Sequence, residues 1–259
     1  MLSDLFHDLE EEIRYHFSPL KNGYVLLGAG VGMLVCVRYY LSSRYAKCRN
    51  TVSLAGKTCI VTGATSGIGQ AVAKEMARRN ANVIIACRNV QMGSETALMI
   101  RKSIPYPVNI SVYNLDLASL DSVRKFAFEI NKESIDVDVL INNAGIFGAP
   151  FTRSDDNYEL HFATNHLGHF LLTGLLLPRM KNKPDARIIT VSSSLYKRIT
   201  APDFRNFNEE TGYNQFNAYA SSKLANIMFT TELSKKLPKG KPLVELYMAF
   251  LIRENRQMK

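Results

Sequence analysis

From residue 58 onward, short apolar runs rich in β-branched residues recur at 58–61, 83–86, 110–115, 137–141 and 188–191, each separated from the next by a helix-length segment. Strands alternating with helices imply a parallel sheet with right-handed crossovers and helices on both faces. The runs are nearly continuous in apolar residues rather than alternating, as expected of strands covered on both sides. Two helices can be placed more closely. Residues 155–180 carry Leu160, Phe162, Ala163, Leu167, Phe170, Leu171 and Leu175, and the segment is expected to stop at Pro178. Residues 216–237 are expected to stop at the turn Pro238-Lys-Gly240. The expected fold class is α/β, a doubly wound parallel sheet in a single domain.

A different pattern precedes the sheet. Residues 24–37 contain no charge, and Arg38-Tyr-Tyr-Leu41 extends the run if Arg38 snorkels. Those 18 residues, 24–41, approach the about 20 needed to span a bilayer. The region before the run is long and acidic (Asp4, Asp8, Glu10, Glu11, Glu12), which argues against a signal peptide. Arg38, Arg44, Lys47 and Arg49 follow it, against Arg14 and Lys21 before it, so the main domain is expected on the cytosolic side, with the endoplasmic reticulum as the expected membrane. The organisation is then an acidic segment 1–23, a membrane anchor 24–41, a polar linker 42–55, a domain at 56–240 and a divergent tail 241–259. Gly28-Ala-Gly-Val-Gly32 imitates a nucleotide loop, but no strand-turn-helix unit follows it, and close helix packing explains it better.

Composition narrows the partners. Hydrophobic residues at 46% and charged residues at 21% of 259 are those of one folded domain. A net charge of +9 admits nucleic acid or an anionic membrane. No basic stripe interleaved with aromatics and no zinc-finger spacing is present, which excludes nucleic acid. Cys36, Cys48, Cys59 and Cys87 lack metal spacing, and the latter two fall in expected strands, as small hydrophobes in a reducing compartment do. His161, His166 and His169 have no carboxylate at ligand spacing, so no metal is expected.

Chemistry concentrates in two places. Thr62-Gly-Ala-Thr-Ser-Gly-Ile-Gly69 follows the first strand and opens the first helix. Gly63 permits a tight turn, Gly67 lets backbone approach a diphosphate, Gly69 allows close helix-strand packing, and Ser66 and Ile68 complete the loop at the amide-rich helix end. Arg88, at the end of the second strand and 19 residues beyond Gly69, stands where an NAD site would place a carboxylate. A guanidinium there suits a ribose 2′-phosphate, so NADP(H) is expected over NAD(H). Asp116 and Leu117 end the third strand where adenine would lie, although Asp116 could simply cap the helix that follows. Further on, Tyr219 and Lys223 stand at i and i+4 on the 216–237 helix and share a face.

Thr62-Gly-x-x-x-Gly-x-Gly69, Asn142-Asn-Ala-Gly145, Asn165, Ser192-Ser193 and Tyr219-x-x-x-Lys223 occur in an order and spacing that resemble the short-chain dehydrogenase/reductase family. Ala86-Cys-Arg-Asn89, Asn165-His-Leu-Gly-His-Phe170 and Ser222-Lys-Leu-Ala-Asn226 look more narrowly like its retinol-dehydrogenase branch. The resemblance runs from about residue 56 to about residue 237. It implies a Rossmann-type sheet and an oxidoreductase that interconverts a lipophilic alcohol with its aldehyde or ketone, retinoid-like first and steroid-like second. Tyr219 would be the acid/base. A free phenol has a pKa of about 10, and Lys223 together with an oxidised nicotinamide would favour the phenolate. Lys223 would also bind the nicotinamide ribose. Ser193, the second serine of its pair, would hydrogen-bond the substrate oxygen, Asn165 would hold a relay water, and Asn143, Ala144 and Gly145 would line the cofactor cleft.

After the 216–237 helix the resemblance implies a sixth strand, a Pro-Gly turn, a substrate loop and a seventh strand. The sequence gives residues 243–252, either strand or short helix, and then a charged tail. An uncovered sheet edge would follow, open to a second copy of the chain. The expectation is a chain that keeps its cofactor residues with weakened or absent turnover. Two alternatives are a cofactor-binding regulator and a truncation product without function.

Overall fold

The computed structural model describes residues 52–180, 183, 185–199, 208–237 and 243–249. The acidic segment 1–23, the anchor 24–41 and most of the linker lie outside the described residues, as do Cys36 and Cys48. Among the described residues no helix is long and apolar enough to cross a membrane.

Six parallel strands form one sheet: β1 (Thr58–Thr62), β2 (Asn82–Cys87), β3 (Ile110–Asn114), β4 (Val139–Asn142), β5 (Arg187–Ser193) and β6 (Leu243–Ala249). Between them run α1 (Gly67–Arg78), α2 (Val90–Ser103), α3 (Leu120–Lys132), α4 (Leu160–Phe162), a π-helical turn (Ala163–Leu167), α5 (Gly168–Met180) and α6 (Gln215–Lys236). The strand order is β3-β2-β1-β4-β5-β6. Winding therefore reverses between β1 and β4, which opens a crevice at their C-terminal ends, where α/β sheets of this kind bind ligands.

Successive strand residues face opposite layers, and the core divides accordingly. Ile60, Leu140 and Ile188 pack with Phe126 of α3 and Leu172 and Leu176 of α5. Val61, Ile85 and Ile141 pack with Ala73 and Ala77 of α1 and Ile100 of α2. Cys59 and Cys87 are buried free thiols, and burial pushes Cys59 up to about 12. Both act as core filler.

Three boundaries depart from the sequence pattern. The 155–180 segment becomes helical only at Leu160, because the Glu159 carboxylate takes the N–H groups of His161 and Phe162 as an N-terminal cap. Pro178 does not end α5: it removes one donor near the helix end, and buried Met180 and the Arg179–Asn131 hydrogen bond hold the last turn. The helix after Asp116 starts at Leu120, with Ser119 as its cap, while Asp116 accepts from the Ala118 N–H. Residues 243–249 are strand, paired in register with all of β5 from Arg187↔Leu243 to Ser193↔Ala249. Among the described residues β6 is bonded on that side only.

Candidate active site

At the end of β1 the chain turns under close packing. Gly63 has φ +64°, and a Cβ there would lie 2.8 Å from the Ala144 Cα. A Cβ on Gly69 would lie 2.4 Å from the Gly63 carbonyl oxygen. Only glycine fits either position. Gly67, at φ +56°, faces open space. Thr62 fastens this turn to the one after β4: its hydroxyl oxygen accepts the N–H groups of Asn143 (2.9 Å) and Ala144 (3.0 Å). The Asn143 amide in turn donates to the Thr62 carbonyl at 2.9 Å. The hydroxyl proton goes to His169 Nε2 at 2.9 Å, because His169 Nδ1–H is committed to the Asn165 carbonyl at 3.0 Å.

The two turns enclose a cleft of about 490 Å³. Gly63, Ser66, Gly67, Ile68, Gly69, Arg88, Asp116, Leu117, Asn143, Ala144 and Gly145 all line it. So do Cys87, Met92, Ile146 and Thr164, apolar or neutral side chains without a recognisable local pattern. The N-terminus of α1 opens here with no acidic residue in its first turn, and the Ser66 hydroxyl does not cap it. Its unpaired first-turn N–H groups and that hydroxyl fit a diphosphate. These residues would hold a dinucleotide, with Arg88, Asp116 and Leu117 at its adenosine end.

Asn165 and Lys223 lie behind Gly145. A Cβ there would approach Asn165 Oδ1 to 3.2 Å and Lys223 Nζ to 3.4 Å, so only a bare glycine separates the cleft from these two groups. Tyr219 and Lys223 on α6 are both buried. Lys223 Nζ donates to the Val191 carbonyl at 3.1 Å and lies 5.6 Å from the centre of the Tyr219 ring. Burial alone lowers it to about 8. Burial raises Tyr219 above its ordinary value of 10, opposed by a hydrogen bond with Ser193. The phenol is therefore protonated at neutral pH.

The serine pair splits by strand parity. Ser193, at the end of β5, meets Tyr219, while Ser192 donates to the backbone carbonyl of Lys223 at 2.9 Å and anchors α6. Asn165, in the π-helical turn, is fully buried. Its Oδ1 accepts from Ile146 N–H (2.8 Å), and its Nδ2 donates to the Ile146 carbonyl (3.1 Å) and Ser222 Oγ (3.0 Å). Its own carbonyl accepts from His169 Nδ1 and Asn226 Nδ2. The side chain thus clamps the loop after β4. His166 bonds Asn226, and His161 bonds Glu159.

Residues 57–246 match the short chain dehydrogenase family. The chain is 43% identical over 209 residues to retinol dehydrogenase 14 of Mus musculus, covering 77% of this chain and 62% of that protein. It is 44% identical over 213 residues to retinol dehydrogenase 13 of Homo sapiens, covering 82% and 63%. Across such relatives the chain spans 60% to 73% of their length. Among solved structures, an uncharacterised protein from Mycobacterium paratuberculosis superposes with a TM-score of 0.61 at 41% identity, covering 72% of this chain and 64% of that one. A protein from Beutenbergia cavernae, described as an NAD(P) dependent gluconate 5-dehydrogenase with bound NADP, gives 0.61 at 29% identity, covering 78% and 74%. With the glycine turn, the Asn-Asn-Ala-Gly turn and the Tyr219–Lys223 helix assembled around one crevice, this chain belongs to the short-chain dehydrogenase/reductase family, on its retinol-dehydrogenase-like branch.

Proposed function

We propose that the chain is an NADP(H)-dependent oxidoreductase that interconverts a lipophilic alcohol with its aldehyde or ketone, retinoid-like first and steroid-like second. One observation carries the reading: Gly145 lines a cleft shaped for a dinucleotide, Lys223 lies immediately behind that glycine, the Tyr219 ring centre is 5.6 Å from the Lys223 ammonium, and Ser193 meets Tyr219. A bound nicotinamide supplies or accepts the hydride. The Ser193 hydroxyl is placed to hold the carbonyl oxygen, and Tyr219, protonated at neutral pH, is placed to deliver a proton to it. Lys223, drawn to about 8 and still largely charged near pH 7, steadies the phenolate left behind and reaches the cleft past Gly145.

Arg88 on the cleft wall supports NADP(H) over NAD(H), and NADPH would favour carbonyl reduction. The apolar run 24–41 supports attachment to the endoplasmic reticulum membrane with the domain facing the cytosol, where lipophilic substrates partition. The test uses the full chain with NADPH and retinaldehyde. Wild type should consume NADPH, while Tyr219→Phe should lose turnover at least about 100-fold and keep its NADPH-induced rise in melting temperature. Equal turnover by the two would remove Tyr219 from the mechanism. In the same titration Arg88→Ala should weaken NADPH far more than NADH, and an equal effect on both would remove the 2′-phosphate assignment.

A further inference from the structure

The loop after β4 carries an exposed aromatic residue held with more care than an exposed loop needs. Phe147 is 45% exposed and sets its ring edge-on to Tyr219, with centres 4.8 Å apart at 80°. It also touches Phe216, itself 39% exposed, at 5.5 Å. Phe147 and Gly148 form a two-residue tip, with Gly148 at φ +77° and nothing near it. Both flanking residues are held by side chains at their backbone. Asn165 holds Ile146 through both groups. At the other side Ala149 N–H donates to His161 Nε2 at 3.3 Å, and the Tyr213 hydroxyl lies 3.2 Å from the Ala149 carbonyl.

The group holding Ala149 is a buried carboxylate and imidazole with a half-buried phenol. Because His161 Nε2 accepts from Ala149, the ring proton is on Nδ1 and donates to Glu159 Oε1 at 2.7 Å. The Tyr213 hydroxyl lies 3.0 Å from that same oxygen. Burial would raise the Glu159 pKa, but the hydrogen bonds from the His161 ring and from the N–H groups of His161 and Phe162 outweigh it and leave the carboxyl below its ordinary value. Surface loops ordinarily satisfy their backbone with water at little cost. Burying an ionised carboxylate is costly unless it is well paired. Here the carboxylate both caps α4 and fixes the His161 ring, whose Nε2 accepts from Ala149 two residues beyond Phe147.

We propose that Phe147 and Phe216 form an aromatic lip that takes the apolar body of the substrate, and that Glu159, His161 and Tyr213 are positioning residues holding that lip over Tyr219. The inference rests on the oxidoreductase reading and deepens it. A molecule whose oxygen reaches Tyr219 must lay its neighbouring atoms along Phe147, because the two rings are in contact. The chemical class favoured is a flat conjugated or fused-ring lipid, which stacks on aromatic edges, over a short aliphatic aldehyde.

The experiment compares retinaldehyde with propionaldehyde as substrates of the full chain with NADPH. Phe147→Ala should lower the ratio of kcat/KM for retinaldehyde to that for propionaldehyde about 10-fold. Tyr213→Phe keeps the ring packed on Phe151 at 5.3 Å and removes only the hydroxyl. It should lower the same ratio about 3-fold, chiefly through KM. The double variant should be no worse than Phe147→Ala alone, because Tyr213 would act through Phe147. Fully additive effects, or equal losses on both aldehydes, would overturn the proposal. Direct binding of retinol, followed by its own fluorescence, separates the lip from the catalytic reading. Retinol binding weakened about 10-fold by Phe147→Ala supports the lip even in a chain without turnover. Absent binding, or binding indifferent to Phe147, overturns the lip even in an active one.

Discussion

Acidifying the protein from about pH 7.5 to about pH 5 should remove about 2 kcal/mol of stability through His169 alone. Its imidazole is 1% exposed and lies between the Thr62 hydroxyl and the Asn165 carbonyl. Burial, with smaller opposing help from the Asn165 hydrogen bond and repulsion from Lys223 and His166, lowers its pKa from 6.5 to about 3. A depressed folded-state pKa gives stability that is complete above the unfolded value and lost as pH falls toward the folded one. At about pH 5 the unfolded side chain has gained its proton and the folded one has not, which favours unfolding about 30-fold, or about 2 kcal/mol. The size depends on the ordinary value, since any folded value well below 5 gives the same number. The assay is urea unfolding of the full chain at several pH values, beside His169→Asn, whose amide can still donate to Asn165 but does not titrate. Other carboxylates and His166 titrate in both proteins and cancel in the difference. Wild type should lose about 2 kcal/mol more than the variant across this range. Parallel curves, within about 0.5 kcal/mol, would mean that His169 is not held neutral in the core.

Other substitutions test the packing of the cleft and its floor. Gly63→Ala drives a Cβ into the Ala144 backbone at a positive φ, so NADPH should no longer raise the melting temperature. Gly168→Ala places a Cβ 2.3 Å from the Leu117 carbonyl, where α5 meets the cleft wall, and should cost about 1–3 kcal/mol in urea unfolding while weakening NADPH. Phe126→Ala empties the layer where α3 packs on α5 and the sheet and should cost about 3–5 kcal/mol with the cofactor titration unchanged. Lys223→Met removes a buried ammonium held from 10.5 down to about 8, and should stabilise the chain at neutral pH by about 1–2 kcal/mol after the lost hydrogen bond to Val191, while abolishing turnover.

The sheet was legible because its strands are covered on both faces, so each reads as a continuous apolar run; β2 and β5 differ from the pattern by one or two residues at each end. The cleft was legible because its chemistry is carried by backbone in turns that directly follow strands, and every residue expected there from the turns lines it. What escaped depends on distant pairing. Glu159 and Tyr213 are 54 positions apart, and Thr62 and His169 are 107 apart, so no local spacing reveals either bond. Taken alone, His161 and His169 read as ordinary helix histidines. The late start of α4 and the persistence of α5 past Pro178 likewise come from a cap and from tertiary burial. Asn165 was found by its motif, but its partners were not, because Ile146 and Ser222 meet it only once the π-helical turn has formed.

The reversal of winding between β1 and β4 also orders events during synthesis. β1, α1, β2, α2 and β3 are consecutive, and can pair as they leave the ribosome. The Thr62 hydroxyl cannot receive its two amides until residues 143 and 144 have emerged, some 80 positions later. Until then the glycine turn hangs on one side of an unfinished crevice, and a nascent chain stalled before β4 would present a half-built nucleotide seat that no cofactor could rescue.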